Sequence, residues 1–170
     1  MTRILTTAAL ACFVGTVGLS AQMKHVDLTD KKGGVVGMAM ISPAKGGGVS
    51  IYLDVKNLPP GQHALQFHAV AKCEGPDFMS ATGPFNPGNK KQGMQNPDGA
   101  RADGMQTFTV DAKGIARTTI VNKNVTMGAE PNSIYANGGT ALMIHAAAND
   151  MKTDPAGNAG ARIACGVITK

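Results

Sequence analysis

Tryptophan is absent, and two tyrosines and five phenylalanines supply an aromatic content of only 4%. No basic stripe is interleaved with aromatic residues, which argues against a nucleic-acid-binding surface. No segment holds a 3.6-residue apolar period, so long amphipathic helices are not expected. Charge is sparse as well, at 16% of residues, with a net excess of +5. The basic residues are scattered, with short pairs at Lys31-Lys32 and Lys90-Lys91. Such a mild excess is compatible with a weak attraction for small anions. Glycine (22) and proline (nine) are plentiful by contrast, and favour short strands joined by tight turns. At 170 residues the chain is expected to form one domain.

A long, mostly apolar run occurs at the start. Arg3 precedes an apolar stretch from Ile4 to Leu19, and the small residues Gly18, Ser20 and Ala21 offer a cleavage site. This pattern predicts a signal peptide over residues 1–21 and a mature domain over 22–170. The run is short for a bilayer span and lacks a charged stop, so no membrane attachment is expected after cleavage. Cys12 follows Ala9-Leu10-Ala11, a poor lipoprotein signal. The expected location is periplasmic or secreted. Removing the signal leaves Cys73 and Cys165. Two cysteines in an exported chain point to one intrachain disulfide, with two buried free thiols as the alternative.

Alternating segments recur along the rest of the chain. VVGMAMIS (35–42), VSIYLDVKN (49–57), HALQFHAVAKC (63–73), MQTFTV (105–110), IARTTIVN (115–122), TALMIHA (140–146) and RIACGVI (162–168) read as strands. With about eight strands, the expected class is an all-β sandwich or barrel. Two segments are irregular: residues 74–104, rich in Gly, Pro, Asn and Asp, and residues 146–161. Irregular loops of that length in a compact domain are usually functional.

LPPGQHALQFHAVAKCEGPDF, TGPFNPGNKKQGMQNPDGA, ALMIHA and KTDPAGNAGARIACGVI together resemble the copper–zinc superoxide dismutase family in its bacterial exported form. The resemblance runs from about residue 35 to the end. It implies an eight-stranded Greek-key β-barrel, related to the immunoglobulin-like sandwich, with a long loop, an electrostatic-type loop and the Cys73–Cys165 bond. It also implies an activity, the conversion of superoxide to oxygen and hydrogen peroxide. The family's copper site uses four histidines. Its zinc site uses three histidines and an aspartate, and one histidine bridges the two metals.

The chain departs from that pattern. It has four histidines in all, and His25 and His63 fall outside the family's motifs. His68 and His145 match copper ligands, whereas Gln66 stands at a third copper position, on the same strand face as His68. Pro84 stands at the bridging position and has no side-chain donor atom. Gln92 and Arg101 replace zinc histidines, and the zinc aspartate aligns with Gly104, one residue from Asp103. Asn149 takes the place of an aspartate that joins the two sites. Arg162 matches the family's anion-guiding arginine.

Zinc is therefore not expected, because a fixed cation at Arg101 opposes it and too few donors remain for a tetrahedral site. Arg101, hydrogen-bonded to Asp103, Gln92 and loop carbonyls and helped by Pro84, is expected to replace the metal in part as the loop's organiser, with a solvated surface arginine as the alternative. Copper binding at His68 and His145 is expected to be weak, since the Gln66 oxygen suits soft Cu(I) poorly. Met79, Met94, Met105 and Met151 could add a thioether but read first as filler. His63 reads as structural. Three function classes follow: a non-catalytic barrel, an exported weak copper binder, and a residual copper-only superoxide dismutase acting on the small anion superoxide. No protein partner can be named from the sequence.

Overall fold

A computed structural model describes residues 23–91, 101–104, 106–153 and 157–170. The expected signal segment (1–21), Gln92, Met94 and Met105 lie outside them. The strands are β1 (Lys24–Asp30), β2 (Val35–Pro43), β3 (Val49–Val55), β4 (Gly61–His68), β5 (Gln106–Val110), β6 (Ala116–Asn122), β7 (Thr140–His145) and β8 (Arg162–Ile168). They form one eight-stranded antiparallel sheet in the order β5-β4-β7-β8-β1-β2-β3-β6. The outer strands of that order, β5 and β6, are consecutive in the chain. The turn Asp111–Ile115 between them brings the sheet's edges together, so it curls into a nearly closed Greek-key barrel.

Alternation accounts for the core. Val49, Ile51, Leu53 and Val55 of β3 are buried, while Tyr52 between them is exposed. Val26 and Leu28 of β1, Phe67 of β4, Ile120 of β6 and Ile144 of β7 meet them inside the barrel. The first strand is an addition to those expected. Its alternating segment KHVDLTD is short and directly follows the apolar leader, which masked it. The strand expected over 63–73 also differs: it begins at Gly61 and ends at His68, after which the chain turns away.

Strands β4 and β7 depart from one-sided burial. All six residues of β7, and the last six of β4, are buried. One face of these strands belongs to the barrel core. On the other face, Ala141 and Met143, together with Cys165 of the neighbouring β8, pack under Phe78 and Ala81 of the long loop. The two irregular segments thus cover one flank of the barrel, and Gln66, His68 and His145 lie between barrel and loops.

Cys73 and Cys165 form a disulfide across a sequence separation of 92, joining the start of the long loop to β8. Closing so long a loop restricts the unfolded chain and contributes about 4–5 kcal/mol in the chain-entropy description. We expect Cys73→Ala/Cys165→Ala to lower the unfolding free energy by roughly that amount in urea titration. A change below about 1 kcal/mol would show that the bond is not a main tether of the loop.

Candidate metal centre

His68 ends β4, and Gln66 precedes it on the same face, as their spacing predicts. His145 ends the neighbouring strand β7, where a register irregularity follows Ile144. Such irregularities re-aim the side chain that follows. The rings of His68 and His145 stack with centroids 5.5 Å apart, and their Nε2 atoms are 3.3 Å apart. Gln66 Oε1 lies 3.2 Å from His68 Nε2.

The hydrogen-bond partners decide the tautomers. His68 Nδ1 is 2.9 Å from the carbonyl oxygen of Thr82, and His145 Nδ1 is 3.2 Å from that of Gly160. A carbonyl oxygen can only accept, so each neutral ring carries its proton on Nδ1 and presents a lone pair at Nε2. Gln66 donates through Nε2 to Asp103 Oδ2, so its oxygen is the atom turned to His68. Three lone pairs, on two imidazoles and one amide oxygen, therefore converge with no proton between them. That is the electronic arrangement of a cation site. Imidazole suits copper well and the amide oxygen less well.

Burial is the largest influence pushing the His68 imidazole down to about 3. The nearby charges, Arg162 first, add to it, while the Thr82 carbonyl opposes it. Burial also lowers His145, with Arg162 adding and the Gly160 carbonyl and Asp103 opposing. Both rings thus remain unprotonated at neutral pH, the form that binds a metal.

The Thr82 carbonyl has a further role. Arg162 donates through Nη1 to Phe78 O and through Nη2 to Thr82 O, each at 2.6 Å. One carbonyl thus orients His68 and anchors Arg162. Thr82 holds φ at 59° and ψ at −147°, a conformation disfavoured for a β-branched residue. Nothing in the residue type signals that strained role, which is why sequence reasoning missed Thr82.

The expected zinc residues are arranged differently. Arg101 and Asp103 are buried, and form a two-pronged ion pair: Nε to Oδ1 and Nη2 to Oδ2, each at 2.7 Å. Asp103 also accepts from Gln66, while the Arg101 carbonyl accepts from Asn124 Nδ2 at 3.2 Å. The solvated-arginine alternative is thereby overturned. Gly104 has φ +49°, and a Cβ there would come within 2.2 Å of Asn122 Nδ2, so no aspartate fits that backbone as it stands. The carboxylate is held one residue earlier, where the guanidinium neutralises it. A zinc ion does not fit among these residues. Among the described residues, no cluster of three or more His, Cys, Asp or Glu side chains is placed to hold a metal.

The remaining residues are structural or lie apart. Pro84 pairs with His68 in an isolated antiparallel bridge. The flanking bonds come from Ala69 and Phe85, so its missing N–H is not needed. His63 faces the His145 carbonyl at 2.8 Å and the Pro59 carbonyl at 2.7 Å, bracing the end of β7. Asn149 accepts from the Met151 amide and lies 3.5 Å from its sulfur. Met79 is 62% exposed and does not contribute to the covered site.

The chain is an antiparallel β-barrel with two facing imidazoles beneath a disulfide-tethered loop, an architecture of the dismutase type. The copper/zinc superoxide dismutase (SODC) family profile matches residues 34–168, and the chain belongs to that family. It is 42% identical to "Superoxide dismutase [Cu-Zn] 1" of Aquifex aeolicus over 163 residues, covering 94% of this chain and 96% of that protein. It is 38% identical to "Superoxide dismutase-like protein YojM" of Bacillus subtilis, covering 89% of this chain and 79% of that protein. A crystal structure of a dismutase-like protein from Bacillus subtilis superposes with a TM-score of 0.80 at 34% identity, covering 84% and 96% of the two chains.

Two outcomes are expected from this geometry. Because His68 titrates near 3 when folded and at 6.5 when free, the unfolded chain binds the extra proton between those values. Folding stability of the metal-free chain therefore falls as pH drops from 6.5 towards 3, by up to about 1.4 kcal/mol per pH unit from this group. Urea titrations should give a shallower dependence in His68→Gln; an unchanged slope would contradict the assignment. Second, Arg101→Met or Asp103→Leu alone should cost about 3–5 kcal/mol by stranding a buried charge, and the double variant should cost less than the sum. Single-variant losses below about 1 kcal/mol would show that the pair does not organise this region.

Proposed function

We propose that the chain is an exported member of its family that binds copper weakly at His68 and His145, with Gln66 as a third donor. It has no zinc site and lacks efficient dismutase activity. The observation that carries this reading is the convergence of three lone pairs, each ring held in its ligand tautomer by a backbone carbonyl. Export is supported by the leader-like first 21 residues and by the Cys73–Cys165 bond, which suits an oxidising compartment.

Copper held there supplies one-electron redox chemistry. The chain's own residues set the limits. The Gln66 amide is a hard donor where imidazole would serve better. Pro84 offers no atom to link two metals or to hold a proton beside the site. Arg101 balances Asp103, so that carboxylate is committed to an ion pair. One observation favours a second reading, a residual copper-only superoxide dismutase: the Arg162 guanidinium is close enough to both imidazoles to depress their protonation, and its charge would draw small anions.

Anaerobic Cu(I) titration against a competing chelator tests the first reading, and should show one equivalent lost in His145→Ala. The copper-loaded chain should then consume superoxide about 100-fold or more slowly relative to a family member with all its ligands, the scale on which metal-site residues act. Family-like rates that vanish in His68→Ala would establish the dismutase reading instead. No copper lost on removing His145 would show that the buried pair holds none.

A further inference from the structure

We propose that the outer face of β1 and β2 carries a second, exposed site for a soft cation, monovalent copper, built from His25, Met38 and Met40. The proposal does not rest on copper binding at His68 and His145. It rests on a cluster on the opposite surface of the strand layer from the core.

In the antiparallel pair, His25 stands opposite Met40 and Asp27 opposite Met38. Val26, Leu28, Ala39 and Ile41 are buried, so alternation turns His25, Asp27, Met38 and Met40 outward together. His25 Nε2 already lies 3.2 Å from the sulfur of Met38 and 3.7 Å from Asp27 Oδ1. The His25 side chain is half exposed, so the cluster is open to solvent.

The donor chemistry is selective. Two thioethers and one imidazole form a soft set that suits Cu(I) and offers little to calcium or magnesium. Bonds of about 2.0 Å to nitrogen and about 2.3 Å to sulfur, as at zinc, separate two donors of a tetrahedral ion by about 3.5 Å. The His25–Met38 pair needs to open by only a few tenths of an ångström to admit one. Side chains directly opposite in an antiparallel pair have Cβ atoms about 4.5–5.5 Å apart, within reach of an unbranched thioether, so Met40 can join them. Asp27 adds a negative charge beside that point. On β3, Tyr52 stands opposite Met40 and shares its outward face, placing an aromatic ring next to the donors. Scattered exposed apolar residues are ordinary. Here, though, two thioethers and an imidazole adjoin on paired strands, with one N–S contact already formed.

The test uses the full chain under anaerobic conditions, with Cu(I) supplied from a chromophoric chelator. The parent should bind one Cu(I) that is retained in His145→Ala. X-ray absorption of that variant should show sulfur in the copper shell. Changing His25→Gln together with Met38→Leu and Met40→Leu should remove this equivalent or weaken it by about tenfold or more, about 1.4 kcal/mol. These positions lie on the solvent face, so the fold should persist, which circular dichroism verifies. As a check that needs no variant, the Met38 and Met40 methyl resonances of methyl-labelled protein should shift as this equivalent binds. The proposal is overturned if the surface variant keeps the parent's stoichiometry and affinity, if the His145→Ala copper shell contains no sulfur, or if the methyl resonances do not move. Loss of all Cu(I) in His145→Ala would also overturn it, while supporting the buried site.

Discussion

A guanidinium and a carboxylate that are almost fully buried must neutralise each other, and much of the covered flank depends on how Arg101 and Asp103 do so. Asp103 uses both oxygens on the guanidinium and still accepts from Gln66. That bond turns the Gln66 amide so that its oxygen, not its nitrogen, faces His68. The Arg101 carbonyl meanwhile ties the long loop to Asn124, and the glycine at 104 lets the chain pass tightly over Asn122. One ion pair thereby sets the orientation of a donor two residues from an imidazole and holds a segment against the barrel. The charge of arginine is fixed, so the buried carboxylate is neutralised without any bound ion.

The second constraint comes from the sheet. Strands β4 and β7 are buried on both faces, so their outward side chains cannot rely on water and must find partners in the loops. His68 and His145 each do so through backbone carbonyls. The strained Thr82 is one consequence: its carbonyl is aimed at His68 and Arg162 at once. On β1 and β3, by contrast, the outward residues His25, Asp27 and Tyr52 are exposed. The buried imidazoles of His68 and His145 and the half-buried thioethers of Met38 and Met40 therefore differ in their access to ions.

Much of the fold was legible in the sequence because period-two alternation is local. Residues 49–55 and 162–168 read as strands without reference to anything else. Strand β1 was missed since its seven residues are short and follow an apolar leader. The end of β4 was overestimated since HALQFHAVAKC stays apolar past His68, although the chain leaves the sheet there. The motifs also singled out Gln66, His68 and His145, which the structure brings together.

The sequence by itself determined the all-β class, the family, the pair of histidines and the pair of cysteines, because each depends on residue type and spacing. Only the tertiary structure decided how those groups act. Tautomers, the orientation of the Gln66 amide, the burial of Arg101 with Asp103 and the meeting of His25 with Met38 all depend on which distant segments are brought within hydrogen-bonding distance. Burial and the directions of neighbouring carbonyls are properties of the packed chain, and no local pattern of residues carries them.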